Sequence, residues 1–148
     1  MYKRILVPVD GSQTSELALR EAVRFAGDQK AELRIIYVVE EIVPMWDVEL
    51  LNLNEIRQAV RETGQRTLQQ ADAAARAGGV KVQTTLVEAS PPGTHAASMI
   101  VEQAKAWPAD LIVMGTHGRR GVDHLLMGSV AEGVARISPV PVLLIRSK

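Results

Sequence analysis

The sequence predicts a doubly wound α/β fold: an open parallel five-stranded sheet in the order 3-2-1-4-5, Rossmann-like, with helices on both faces. Three observations carry this prediction. Ile5–Val9, Leu33–Val39, Leu111–Met114 and Val142–Ile145 are short, almost uninterrupted apolar runs, the pattern of strands covered on both sides. A helical segment separates each consecutive pair of strands, which demands parallel pairing through right-handed crossovers. Finally, Asp10 follows the first strand and Gly115 closes the fourth, and in this order those strands are neighbours at the switch point where such sheets bind ligands.

Composition sets the outer limits. A chain of 148 residues suits one domain, residues 1–148, with a full core. It has 17 basic and 17 acidic residues, a balance that favours neither a nucleic-acid surface nor an acidic tail. Cysteine is absent, which excludes disulfides, thiol catalysis and cysteine-ligated metals. The N-terminal apolar run is too short for a signal peptide, and no run reaches the ~18–20 apolar residues of a membrane span. A soluble cytoplasmic protein is the expectation.

Taken in order, the first strand ends near Pro8, which cannot donate to a ladder and so weakens the pairing there. Asp10-Gly11-Ser12 follows, with Ser12 as N-cap of a helix to about Ala26, whose apolar face is Leu19, Ala22, Val23 and Ala26. After the second strand, residues 40–51 keep no clean period and read as a loop or lid, which extends to residue 53. A long helix is expected from Asn54 to Ala77, with Ile56, Val60, Leu68, Ala71 and Ala75 inward and Gly78-Gly79 ending it. Strand three, Val80–Val87, differs from the others: Val80, Val82, Thr84 and Leu86 alternate with Lys81, Gln83 and Thr85, the pattern of a half-exposed edge. Pro91-Pro92-Gly93 makes a turn, and a helix spans Thr94–Ala106. Strand four then leads into the glycines, and a short helix starts at Gly128-Ser129 and stops before Pro139. Strand five is apolar on both faces yet lies at an edge. Either a helix or loop shields it, or two copies of Val142–Ile145 pair about a two-fold axis in a homodimer.

The chemistry gathers in the segment from Val113 to Ile145. Glycines at a strand exit let backbone N–H groups turn toward a ligand, and a Gly-Ser at a helix start adds unpaired N–H groups and the positive end of the helix dipole. Together they make an anion cradle, best suited to the phosphate chain of a nucleotide. Neither a P-loop nor the G-x-G-x-x-G fingerprint is present: Val130 stands where a P-loop would carry lysine.

Gly115-Thr116-His117-Gly118, then nine residues, then Gly128-Ser129 reproduces the G-x2-G-x9-G-[ST] signature of the universal stress protein family. The N-terminal ILVPVDGS resembles that family's first strand and acidic turn, and PVPVLLIR its last strand. The resemblance covers essentially the whole chain. It implies an ATP-binding homodimer, with the nucleotide held as its magnesium complex. By position it implies Pro8, Val9 and Asp10 on one side of the site and Val38 at its base. Met114, Gly115, Thr116, His117, Gly118, Arg119, Gly128, Ser129 and Val130 would form the other side. The chain departs from the family in two places: Ala89-Ser90-Pro91-Pro92-Gly93 replaces a Gly-x-Pro turn, and Ala131 stands where some members carry a hydroxyl. The second change removes a phosphate donor worth about 0.5–1.5 kcal/mol.

Simpler roles exist for several of these residues. Asp10 can cap the first helix, Ser129 can cap the last, and His117 can act through side chain or backbone alone. Arg119 and Arg120 either pair with phosphates or face solvent, His95 and His124 show no ligand spacing, and Trp46 and Trp107 suit packing. Three functions follow: an ATP-binding regulatory stress protein, a slow ATPase relying on Asp10, His117 or Asp123, and a dimeric interaction module for a regulatory protein partner. The lack of a Ser/His/Asp constellation disfavours fast catalysis.

Overall fold

The computed structural model describes residues 1–40, 53–91, 93–118 and 127–147. Its elements are β1 (Arg4–Pro8), α1 (Gln13–Gln29), β2 (Glu32–Val39), α2 (Leu53–Ala77), β3 (Val82–Glu88), α3 (Ala96–Ala106), β4 (Leu111–Gly115), α4 (Ser129–Ile137) and β5 (Val142–Ile145). All strand pairs are parallel, in the order β3-β2-β1-β4-β5, as the sequence predicts. Arg119, Arg120, Asp123, His124, Trp46 and most of the expected lid lie outside the described residues.

Strand periodicity divides the core in two. Ile5, Val7, Leu33, Ile35, Leu111 and Val113 face α1 and α2, and pack against Leu19, Ala22, Leu68 and Ala71. Leu6, Ile36, Ile112 and Met114 point the other way, onto Ile100, Val101, Ala131 and Val134 of α3 and α4. Successive side chains of a strand alternate sides, so only an apolar run can supply both layers. Trp107 packs in this second layer, with the Arg34 guanidinium 4.7 Å from its ring centroid. Among the described residues no helix is long and apolar enough to cross a membrane.

The element ends differ from expectation where tertiary contacts extend or trim them. Helix α1 continues to Gln29, because Lys30 takes a left-handed conformation (φ 55°) and its N–H closes on the Ala26 and Gly27 carbonyls. Helix α3 begins at Ala96 rather than Thr94. Strand β3 starts at Val82, and Thr84 is exposed although the alternation places it inward. In its second half Leu86 packs on one layer and Val87 on the other. Ile56 is 39% exposed, against the stripe read from α2. A helix of 25 residues is roughly 37 Å long, and strands of this sheet are shorter, so its first turns overhang the core.

Candidate functional site

The crevice at the switch point follows from Pro8. Val9 donates its N–H to the Ile36 carbonyl at 2.8 Å, toward β2. Backbone donors alternate direction along a strand, so the N–H that Pro8 lacks would have faced β4. The β1–β4 register accordingly covers only Ile5↔Leu111 and Leu6↔Ile112, whereas β1 pairs with β2 from Arg4 to Pro8. Beyond Leu6 the two strands part, and a cavity of about 450 Å³ opens at their carboxyl ends.

Every predicted site residue except Arg119 lines this cavity: Pro8, Val9, Asp10 and Val38 from β1 and β2, and Met114, Gly115, Thr116, His117, Gly118, Gly128, Ser129 and Val130 opposite them. Arg119 is outside the described residues. Asp10 is held by its own turn: its Oδ1 accepts the Ser12 N–H at 2.9 Å, and its N–H donates to Ser15 Oγ at 3.1 Å. The glycine arm approaches closely. A Cβ on Gly118 would stand 2.7 Å from Asp10 Oδ2, and one on Gly115 would meet the Thr14 backbone at 3.0 Å. The Gly128 N–H donates to the Thr116 carbonyl at 2.7 Å, which joins the start of α4 to the exit of β4. The His117 ring places Nδ1 2.9 Å from Thr116 Oγ1.

Three helices begin at this cleft, and their N-termini are treated differently. Ser12 caps α1, its side chain accepting the Ser15 N–H at 3.3 Å. Helix α3 gets no side-chain bond from its N-cap His95, but Glu40 Oε1 reaches across and accepts the Ala96 N–H at 3.1 Å. Helix α4 has Gly128 as its N-cap, which has no side chain to make a cap bond. The first N–H groups of a helix have no acceptor within it. Among the described residues no side chain caps these N–H groups at α4, and with the helix dipole they make a setting that favours an anion.

Sequence reasoning missed Thr14, Ser15, Glu40, Ala96 and Ile100. Thr14, 6% exposed, donates its hydroxyl to the His117 carbonyl and so ties α1 to the glycine arm. The first-turn hydroxyls after Asp10-Gly11-Ser12 and the carboxylate directly after β2 were the available signals. A larger cavity, about 610 Å³, lies between α1 and α2 and meets the cleft only at Val9 and Ser15. Its walls are mostly the flanks of α1 and α2, whereas the smaller one includes the starts of α3 and α4.

The model of the universal stress protein family matches residues 1–146 of the chain. The chain belongs to this family. Universal stress protein MJ0531 of Methanocaldococcus jannaschii is 38% identical over 147 residues, 99% of this chain and 83% of that protein. Among solved structures, universal stress protein UspA from Lactobacillus plantarum superposes with a TM-score of 0.84 at 28% identity, over 98% of each chain. A universal stress protein in complex with cAMP gives 0.69 at 26% identity, covering 99% of this chain and 98% of that one. The universal stress protein from Archaeoglobus fulgidus in complex with dAMP gives the same score and identity, covering 97% and 98%. These two members of the family thus bind adenine nucleotides.

Proposed function

We propose that this universal stress protein binds ATP in the cleft at the carboxyl ends of β1, β2 and β4, and acts as a homodimeric regulator in the stress response. The observation that carries the reading is the start of α4 at Gly128, which has no side chain to cap it, beside a Gly118 where a Cβ would stand 2.7 Å from Asp10 Oδ2. A side chain at Gly118 would fill the space a phosphate needs. The phosphates lie against Gly118, Gly128, Ser129 and Val130, the ribose beside Asp10, and the adenine over Val38. Relatives solved with cAMP and dAMP carry the same base and phosphate chemistry, which supports an adenine nucleotide here. Magnesium would come with the nucleotide and supply charge neutralisation at the phosphates, since this ion does not need an all-protein cage.

Calorimetric titration of ATP with magnesium into nucleotide-stripped protein tests this, with Gly118→Arg titrated beside it. Binding by the wild type and none by the variant is expected. Folded, empty wild-type protein that takes up no ATP overturns the reading.

The dimer runs through β5. Among the described residues that strand pairs only with β4, and Leu143 and, nearby in sequence, Ile137 are 39% and 48% exposed. Covering such an edge with a second copy removes both the apolar exposure and the open ladder. Sedimentation equilibrium should show a dimer for the wild type and a monomer for Leu143→Arg. A monomeric wild type would rule the pairing out.

A further inference from the structure

We infer that Glu40 is a specificity-determining residue of the cleft, selecting a purine that turns a 6-amino group toward it, as adenine does, over one that turns a 6-carbonyl toward it in the same pose, as guanine does. This inference rests on the nucleotide reading above. Glu40 directly follows β2 and is exposed, yet its carboxylate is tied to a distant element: Oε1 accepts the Ala96 N–H at 3.1 Å across a separation of 56 residues. The bond holds the side chain over the start of α3, whose own N-cap supplies none.

The surroundings of Glu40 differ from those of the glycine arm. Glu40 and Ala96 line the cavity with Tyr37, Val38 and Ile100, a largely apolar wall built from β2 and the start of α3 rather than from the glycines. Apolar walls with a few placed polar groups are the usual make-up of a site for a flat organic ring. A carboxylate is an acceptor only, so on such a wall it pairs with an amine N–H and repels a carbonyl oxygen. It also occupies the start of α3, which leaves α4 as the helix terminus open to phosphate. Both effects orient the nucleotide the same way, base toward Glu40 and phosphates toward Gly128. Water reaches Glu40, so the discrimination is about tenfold rather than the thousands of a fully buried hydrogen-bonding pocket.

The Glu40→Gln variant separates selection from capping. Its amide oxygen can still accept the Ala96 N–H, while its NH₂ can donate to a carbonyl. Dissociation constants for the magnesium complexes of ATP and GTP would be measured on wild type and variant, with melting temperatures as a control on folding. The wild type should prefer ATP by about tenfold or more, and the variant should lose most of that preference. A ratio unchanged in a variant that melts like the wild type would make Glu40 a cap alone and overturn the inference. A wild type that binds neither nucleotide would instead overturn the underlying ATP reading, and the inference with it.

Discussion

The groove between α1 and α2 encloses about 610 Å³ and the cleft at the strand ends about 450 Å³, yet it is the smaller one that gathers the glycine arm and the starts of α3 and α4. The groove is walled by the flanks of two helices, at residues such as Leu19, Val23, Ala71 and Ala74. Along a helix flank each N–H is already bonded to the carbonyl one turn back, so the wall offers a ligand side chains only. The cleft lies where strands stop and helices start, and backbone donors there lack partners within their own elements. Volume measures room, whereas affinity for an anion depends on donors already fixed in place. The two cavities share only Val9 and Ser15, so they can be perturbed separately.

The largest expected effect comes from Gly118→Arg, where a side chain enters the gap of 2.7 Å between the Cβ position and Asp10 Oδ2. ATP affinity should fall by on the order of 100-fold or more, since close backbone approach and donor access are lost together. Thr14→Val comes next. It leaves the glycine arm intact but removes the hydroxyl that holds the His117 carbonyl. Loss of one such bond should weaken ATP binding by about tenfold, and Thr14→Ser should restore it. If Thr14→Ser binds as poorly as Thr14→Val, the hydroxyl is not what positions the arm. The smallest effect is expected from Ala74→Trp, which fills the groove from an exposed position on α2. ATP affinity should stay within about twofold of the wild type, because none of the cleft's backbone donors moves. A loss of tenfold or more there would show that the two cavities act as one and undo the contrast.

A similar contrast separates the two sheet edges. Strand β3 carries charge at its border: Arg61 of α2 pairs with Glu88, and Lys81 reaches Glu32 at 3.0 Å. Such exposed pairs add little stability, but charge on an edge discourages strand addition. Strand β5 has only Val142, Leu143, Leu144 and Ile145. This difference was legible in the residues themselves, as alternation in one strand and an unbroken apolar run in the other.

Features with a local cause could be read directly from the chain. The strand faces, the parallel order and the crevice beside Pro8 follow from periodicity, connection length and a missing N–H. The glycine spacing from Gly115 to Ser129 marked one arm of the cleft, because the donors it presents belong to the backbone of that same stretch. The opposite case is any side chain whose partner lies far along the chain. Thr14 meets the His117 carbonyl over 103 positions and Glu40 meets the Ala96 N–H over 56. Neither has a distinctive local pattern, since a threonine in a first helical turn and a glutamate after a strand are ordinary there. Folding brings β1, β2 and β4 to a common end, and only that juxtaposition makes Thr14 a brace for the cradle and closes α3 with Glu40 while α4 stays open.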